Sequence, residues 1–234
     1  MPLSDHAEPL SILTLDPFHG GSHRQFTQCL AEQSQHHWHL ITGKPVHWKW
    51  RMRSAPLAFA QQTLELIHQI GVPDVLFCTD MLDLPVYLGL LGNHPIQQIP
   101  KVLYFHENQW TYPVSPHRKV DNHFGYTNLL SALTADQVWF NSQFHLNDFI
   151  KGSRNFLKQM PDTRELHHLD ALEAQAHIIP PGFSTPANVP ASPSGKVQNH
   201  SDTQSARDPE ITVGWVSRWE YDKCPEAFVT LLSC

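Results

Sequence analysis

Two glycines near the start of the chain stand where the backbone itself could bind a ligand. Ile12, Leu13 and Leu15 form a short apolar run that Asp16 and Pro17 end, and the two glycines, Gly20 and Gly21, follow. Such a run, without polar alternation, is typical of a strand buried on both faces of a parallel sheet. A glycine turn from a strand into a helix directs N–H groups and a positive helix end at one point. That arrangement suits an anion or a sugar hydroxyl. The alternative is an ordinary tight connection without a ligand.

Ser22 marks the start of the first predicted helix. It lies three residues before Gln25, which is the spacing of a capping box and predicts a helix from His23. The G-x-G-x-x-G fingerprint of dinucleotide-binding proteins is absent from this turn.

Three further polar clusters each follow a short apolar run, at residues 79–80, 106–109 and 141–142. The carboxyl ends of parallel strands meet at one edge of a sheet, where such folds bind their ligands. Four strand ends with polar clusters therefore predict a site more strongly than any single cluster does.

The elements that position these clusters alternate along the chain. Strands are predicted at 12–15, 39–42, 75–78, 102–105, 138–140 and 178–179, and helices at 23–34, 82–91, 124–133, 144–159 and 166–174, with one more through Leu57, Ala60, Leu64 and Ile67. This alternation predicts an α/β fold, a doubly wound, Rossmann-like domain with a parallel sheet.

The composition excludes several classes of protein. The 234 residues are 41% hydrophobic, which is enough for a packed core and excludes a wholly disordered chain. A net charge of −6 argues against a uniformly basic nucleic-acid binder. The longest apolar stretch, around 84–91, is too short to span a bilayer, and no signal-peptide pattern is visible.

The cysteines and histidines point away from disulfides and metals. The four cysteines, at positions 29, 78, 224 and 234, form no C-x-x-C pair, which favours reduced thiols in a cytoplasmic protein. Among 17 histidines, only His19 and His23 have a ligand-like spacing, and the glycine turn between them breaks the helical geometry that this spacing needs. We therefore expect no metal site.

The character of the chain changes after residue 183. We expect a Rossmann-like domain at 1–183 and a disordered linker at 184–209, which is rich in Ser, Pro and Asn. A strand is predicted at 211–216, and Pro225 opens a helix that still runs at the last residue. Residues 210–234 are therefore expected to be the incomplete start of a second Rossmann-like domain.

Several segments together resemble the tRNA-queuosine α-mannosyltransferase family, a branch of the GT-B glycosyltransferases. They are LDPFHGGSHRQF, HWKWRMR, DVLF, KVLYFHENQWTYP, FGYTNLLSALTAD, FNSQFH and RWEYDKCPEAF. The YFHENQ segment and the GGSH turn are fairly specific to that family. The resemblance implies two facing Rossmann-like domains: the first carries the acceptor side, and the second binds a nucleotide sugar, GDP-mannose in characterised members. The long linker and the missing acidic residue of the donor domain depart from the family pattern.

The resemblance implies a retaining, metal-independent transfer of mannose to queuosine in tRNA. It suggests that His106 contacts the transferred sugar and that Glu107 orients or deprotonates the attacking hydroxyl. An equally supported alternative is that Glu107 and Asn108 satisfy the backbone of a turn. Asn108, Asn141 and Ser142 are candidate acceptor contacts, although Asn141 and Ser142 are more typical of a helix N-cap.

The departing nucleoside diphosphate carries negative charge that the enzyme must neutralise. The resemblance assigns this role to the pair Arg218 and Lys223, with Gly20, Gly21 and Ser22 contributing from the first domain. The alternative is that both cations are exposed and lie beside acidic residues.

Residues 44–53, KPVHWKWRMR, alternate cations with large apolar side chains and contain no carboxylate. If extended, the segment would present Lys49, Arg51 and Arg53 on one face and Trp48, Trp50 and Met52 on the other. We predict that the cations bind tRNA phosphates while a tryptophan such as Trp50 stacks on an anticodon-loop base. The alternative places the tryptophans in the core and the cations on a solvated face.

Two other functions stay open on the sequence. One is a GT-B glycosyltransferase with another acceptor, such as a small metabolite or a lipid-linked sugar, and the other is a catalytically inactive RNA-binding half-protein. Because most of the donor half is missing, we expect the 234-residue chain alone not to transfer sugar.

Overall fold

The computed structural model describes residues 8–113, 121–182, 214–217, 219 and 221–233. The strands in these ranges are Ser11–Asp16 (β1), His37–Thr42 (β2), Val75–Thr79 (β3), Lys101–Phe105 (β4), Gln137–Phe140 (β5) and Ala176–Ile178 (β6). The helices are Gly21–Gln33 (α1), Trp48–Ile70 (α2), Leu84–Leu90 (α3), Asn122–Thr134 (α4), Gln143–Lys158 (α5), His167–Gln175 (α6) and Pro225–Leu232 (α7). No helix in the described part of the chain is long and apolar enough to cross a membrane.

The strands form one sheet in the order β2-β1-β3-β4-β5-β6, and every neighbouring pair is parallel. The chain passes from β1 to β2 on one side and then returns to β3 on the other side of β1. The strand order therefore reverses between β1 and β3, and the ligand crevice of open α/β sheets lies at such a reversal. The prediction of an α/β, doubly wound parallel sheet is confirmed.

Both faces of the central strands are buried, which explains their uninterrupted apolar sequences. Leu103 and Phe105 of β4 pack on one face with side chains from helices α2 to α6. Val102 and Tyr104 pack on the other face with Phe26 of α1.

The second half of the segment 44–53 is helical, so the condition under which its cations and apolar side chains would lie on opposite faces of an extended chain is not met. The helix begins at Trp48, and its buried face includes Met52, Ala55 and Phe59. Because these apolar residues recur with helical spacing, their burial outweighs the local period of two. Leu57, which we predicted on the buried face of this helix, is 68% exposed because it lies outside that face.

The predicted capping box at Ser22 is also wrong. Helix α1 begins at Gly21, its N-cap is Gly20, and no side chain caps it. The turn is held by other groups: Phe18 N–H donates to the Asp16 side chain, and Gly20 N–H donates to the Phe18 carbonyl. These bonds start the helix before Ser22 can act as a cap.

The chain divides into two compact units, residues 1–112 with 120–183 and residues 113–119 with 184–234. The predicted linker at 184–209 lies outside the described residues. So does the first part of the strand predicted at 211–216, and residues 214–216 are not in a strand. Helix α7 begins at Pro225 as predicted and ends at Leu232, where Ser233 N–H donates to the Thr230 carbonyl.

Candidate functional site

Polar residues at the carboxyl ends of β1, β3, β4 and β5 contact one another. His106, directly after β4, stacks on His23 of α1 with ring centroids 4.0 Å apart. The backbone N–H of Glu107 donates to Asp80 Oδ2 at 3.1 Å, which joins the end of β4 to the end of β3. Asn141 Nδ2 donates to the His106 carbonyl at 3.1 Å. Residues in or beside all four predicted polar clusters thus meet in one region.

Asp16 ends β1 as a fully buried carboxylate with three hydrogen-bond partners. Phe18 N–H donates to Oδ1 at 3.2 Å, and the Thr27 hydroxyl donates to Oδ2 at 3.2 Å. The same Oδ2 lies 2.7 Å from His19 Nδ1. Because a buried carboxylate needs such partners in place of water, Asp16 fixes the turn after β1 and orients the His19 ring.

Two close approaches hold this turn against the segment after β2. A Cβ atom at Gly20 would lie 2.4 Å from Pro45 Cβ, and one at Gly43 would lie 2.1 Å from the Pro17 carbonyl oxygen. Neither position has room for a larger residue, so the sequence places glycine where the two segments touch.

Gly21 and Ser22 form the exposed start of α1. Gly21 has a φ of +55°, in the left-handed region that glycine tolerates, and no atom lies within 4 Å of the position of a Cβ. The positive end of the helix dipole is therefore open on this side. Phosphate binding by Gly20, Gly21 and Ser22 stays a prediction.

Burial lowers the pKa of three histidines of the region, His23, His106 and His145, and so favours their neutral forms. Burial, assisted by the neighbouring His23 and His145, lowers the pKa of His106 to about 2. Burial also lowers the pKa of His23, although Asp16 opposes that shift, and it lowers the pKa of His145. Neutral imidazoles can both donate and accept a hydrogen bond, which suits a hydroxyl group better than an anion.

Asp80 differs from Glu107 in its surroundings. Burial, followed by the charge of Glu107, raises the pKa of Asp80 well above its usual value, and the backbone N–H groups of Glu107 and His106 oppose this shift. Asp80 therefore holds the backbone of the turn from a buried position. Glu107 is only half-buried, which leaves its carboxyl group the better placed of the two to meet a ligand.

The side chain of Asn108 stabilises the loop after β4. Its Nδ2 donates to Asp148 Oδ2 at 2.8 Å, and its Oδ1 accepts from the Trp110 backbone N–H at 3.1 Å. These bonds support the alternative in which Asn108 satisfies a turn, and its contact with an acceptor stays a prediction.

The Trp110 ring fills a slot between α4 and α5. A Cβ atom at Gly125 would lie 2.5 Å from Trp110 Cδ2, and one at Gly152 would lie 2.6 Å from Trp110 Cβ. Trp110 Nε1 donates to Ser153 Oγ at 2.8 Å, and the ring packs 4.9 Å from Phe156. The slot anchors the loop that carries His106 and Glu107.

Ser142 is the N-cap of α5, since its hydroxyl accepts from His145 N–H at 3.2 Å. Ser142 Oγ also donates to Asn141 Oδ1 at 3.0 Å, while Asn141 supports the His106 carbonyl. The N-cap alternative is therefore confirmed for Ser142, and acceptor binding by Asn141 and Ser142 stays a prediction.

The basic residues of the first turns of α2 lie beside an aromatic cluster. Lys49 Nζ lies 5.4 Å and Arg53 Cζ 5.2 Å from the centre of the Phe124 ring. Phe124 belongs to a cluster that also contains Phe18, from the turn after β1, and Met81, which follows Asp80. The start of α2 therefore packs against the loops that form the polar region.

The side chains of this basic segment differ in exposure. Lys49 and Arg53 are exposed, and Trp50 is 62% exposed, whereas Arg51 is half-buried with no hydrogen-bond partner for its Nε. The alternative that placed both tryptophans in the core is wrong for Trp50, and Trp48 is half-buried beside Phe124.

The predicted phosphate-binding pair is only partly visible. Arg218 lies outside the described residues, and Lys223 is exposed in a short 3-10 turn, Tyr221–Lys223, of the second unit. Phosphate binding by Arg218 and Lys223 stays a prediction.

One group of side chains in the described ranges has the spacing of metal ligands. Glu165, His167 and His168 place their ligand atoms within 4.8 Å of one another, and all three are exposed. Sequence analysis missed this group because the approach depends on a positive φ of 46° at Glu165, which sequence spacing does not reveal.

The sequence did not predict the contact of His23 with His106, nor the roles of Asp16 and Asp80 in holding the turns after β1 and β4. Asp16 and Asp80 are the first acidic residues at the ends of buried strands, and this position in the sequence could have predicted their roles. The stacking of His23 on His106 depends on how α1 packs against β4, and no local pattern indicates it.

Comparison with known proteins identifies a family and curated relatives. Residues 11–183 match the family described as "tRNA-queuosine alpha-mannosyltransferase N-terminal". The chain is also similar to a tRNA-queuosine alpha-mannosyltransferase of Drosophila melanogaster, with 35% identity over 223 residues. That alignment covers 94% of this chain and 56% of the relative, so the chain spans about half of the relative's length. No solved structure matches the chain. Since the family match covers most of the chain, the chain belongs to the tRNA-queuosine α-mannosyltransferase family through its N-terminal domain.

Proposed function

We propose that this chain is the acceptor-side part of a glycosyltransferase that transfers mannose from GDP-mannose to queuosine in tRNA, with retention of the α-linkage. The observation that carries the proposal is the family match over residues 11–183. The polar region at the strand reversal supports it, because neutral histidines and a half-buried carboxylate suit a sugar substrate.

The reaction forms a bond between the acceptor oxygen and the anomeric carbon and breaks the bond from that carbon to the diphosphate. The acceptor hydroxyl loses a proton, and the nucleoside diphosphate leaves with added negative charge. In our proposal His106 contacts the transferred sugar, and Glu107 orients the attacking hydroxyl or takes its proton. The positive end of α1 at Gly20 and Gly21 faces the diphosphate.

The exposed start of α2 is the proposed tRNA contact. Lys49 and Arg53 offer two exposed cations, and Trp50 between them is mostly exposed. Exposed cations with an aromatic ring are the usual means of binding single-stranded RNA. The helix packs against the loops of the polar region, so RNA bound there would lie close to the proposed sugar site.

A transfer assay tests the activity. An enzyme that joins this chain to a complete nucleotide-sugar-binding domain should transfer radiolabelled mannose to queuosine-containing tRNA. The matched control is the same tRNA with guanosine in place of queuosine, which should stay unlabelled. Equal labelling of both tRNAs would contradict the proposed acceptor, and labelling of neither would contradict the proposed reaction.

Replacing Lys49, Arg51 and Arg53 with alanine should weaken tRNA binding and flatten its salt dependence. Each lost phosphate contact should reduce the slope of log affinity against log salt by roughly 0.7–0.9. We expect only a small loss of thermal stability, since the cations that contact Phe124 are exposed. The measurement is filter binding or fluorescence anisotropy at several salt concentrations.

A control variant with the same change in charge is available on another surface. Lys151, Lys158 and Arg164 are exposed and lie on or just after α5. Their triple alanine variant should keep a steeper salt slope than the α2 variant. If both variants lose the same affinity and slope, the effect is one of net charge, and α2 is not the RNA contact.

A further inference from the structure

Three buried imidazole nitrogens in the polar region have no hydrogen-bond partner among the described residues, and two of them, on His23 and His106, belong to rings that stack on each other. His23 is 5% exposed, and its Nδ1 has no partner. His106 Nε2 is likewise buried without one. Buried polar atoms of native proteins are almost always paired, so two unpaired atoms in stacked rings require an explanation.

The two rings form one unit. Their centroids are 4.0 Å apart with an interplanar angle of 31°, so the rings lie face to face and cannot hydrogen-bond each other in their own planes. Phe26 and Tyr104 meet the His106 ring edge-on at 5.0 and 4.9 Å, and Phe18 meets the His23 ring at 5.7 Å. These aromatic rings hold the pair in place and give it apolar surroundings.

The neighbouring His19 differs in the one respect that matters. Its Nδ1 lies 2.7 Å from the Asp16 carboxylate, so that ring is held by a partner within the chain. The local fold can therefore satisfy a histidine at this turn, yet it leaves His23 and His106 unsatisfied. That difference indicates that the stacked pair serves a ligand.

We propose that His23 and His106 together form a sugar-binding pair, in which His23 Nδ1 and His106 Nε2 hydrogen-bond hydroxyl groups of the transferred sugar. The inference rests on the proposed function and deepens it, because it adds His23 as a second residue that hydrogen-bonds the transferred sugar. Both atoms are buried, so sugar binding at this pair requires a local rearrangement of the surrounding side chains.

The chemistry of the pair favours a hydroxyl over a phosphate. The pKa values of both histidines are lowered, chiefly by burial, so both rings are neutral near neutral pH. A neutral imidazole has one donor and one acceptor nitrogen, and a hydroxyl group can likewise donate and accept a hydrogen bond. A phosphate only accepts and is bound best by a positively charged group, which a neutral imidazole is not. The diphosphate of the donor would therefore lie elsewhere.

The first test follows the ring nitrogens of this chain by ¹⁵N NMR during titration with methyl α-mannoside. We expect the signals of His23 and His106 to shift with the sugar and to stay unchanged with inorganic phosphate. In the His23→Phe variant the sugar-dependent shift of His106 should be lost. No shift with the sugar, an equal shift with phosphate, or an unaltered His106 response in the variant would each overturn the proposal.

The second test measures the thermal stability of variants at position 23. A ligand-binding role for His23 predicts that an apolar replacement raises the unfolding midpoint, and a purely structural role predicts that it lowers the midpoint. If His23 is kept for a ligand, an apolar ring in its place removes an unpaired polar atom and should raise the unfolding midpoint by about 2–4 °C. His23→Leu guards against a steric clash of the larger phenylalanine. The matched control is His19→Phe, which removes one of the three hydrogen-bond partners of the buried Asp16 carboxylate and should lower the midpoint.

A lower midpoint in both His23→Phe and His23→Leu would assign His23 to the core and overturn the proposal. These measurements need neither tRNA nor turnover. If the transfer assay fails, the NMR and stability results for the histidine pair remain valid. If the NMR and stability tests fail, the transfer assay still decides whether the proposed reaction takes place.

Discussion

The substitution His106→Ala is expected to lower sugar transfer by about 100-fold or more per folded molecule, the usual effect of losing one polar contact to the reacting group. His106 lies directly after β4, its ring stacks on His23, and its Nε2 has no partner within the described chain. Removing the ring removes the proposed sugar contact and leaves the sheet unchanged. The measurement is the rate of mannose transfer in an enzyme that joins this chain to a complete nucleotide-sugar-binding domain.

The ring of His106 also packs on Phe26 and Tyr104, so a modest loss of stability accompanies the substitution. The rate is therefore divided by the folded fraction, taken from circular dichroism at the assay temperature. His68→Ala is the control, because His68 is exposed on α2 and should leave transfer unchanged. A His106→Ala enzyme that melts early but transfers at the normal rate per folded molecule would make His106 structural.

The substitution Gly43→Ala is expected to destabilise the first unit by about 2–3 kcal/mol, because a rigid atom enters a filled space. The added Cβ would lie 2.1 Å from the carbonyl oxygen of Pro17. The clashing atom belongs to the backbone, and Gly43 N–H also donates to the Asp16 carbonyl at 2.9 Å, so neither segment can yield without breaking that bond. The unfolding midpoint should fall by roughly 5–10 °C.

Gly89→Ala is the matched control for that measurement. Gly89 lies in α3, and no atom approaches within 4 Å of the position of its Cβ. An alanine in a helix loses less conformational entropy than glycine, so stability should stay equal or rise by up to about 1 kcal/mol. Equal midpoints for Gly43→Ala and the unsubstituted chain would show that the turn after β1 moves freely, contrary to the packing described above.

The sheet was the most predictable part of the molecule. The runs 75–78 and 102–105 contain no charged, amide or aliphatic hydroxyl side chain, and a run of that kind fits a parallel strand buried on both faces. The structure places β3 and β4 within one residue of these predictions. The parallel order then follows from the helices between the strands, since parallel neighbours require a crossover.

Helix starts were less predictable, as two serines illustrate. Ser142 caps α5 through its hydroxyl, as its sequence position suggested. Ser22 has a similar local sequence, yet Asp16, Phe18 and Gly43 already hold the chain before it. The difference comes from contacts between distant segments, which a local pattern does not contain.

The sequence predicted where in the fold the candidate site lies, but it predicted only some of the residues that form it. The rule that ligands bind beyond the carboxyl ends of parallel strands located the region. It did not reveal that His23 pairs with His106 or that Asp80 holds Glu107, because each pair joins side chains from separate elements. Periodicity describes one element at a time, so such pairs become visible only when the elements pack.

The slot that holds Trp110 makes the residues at positions 110, 125 and 152 depend on one another. A side chain at Gly125 would meet the indole ring of Trp110, so a larger residue there requires a smaller one at position 110. A side chain at Gly152 would meet Trp110 Cβ, an atom that every residue except glycine carries. We expect alanine at position 125 to be harmful beside Trp110 and tolerated beside a smaller aliphatic residue, and alanine at position 152 to be harmful beside both. Relatives with a larger residue at position 125 should therefore have a smaller one at position 110, and comparing them would reveal how the loop after β4 is anchored across the family.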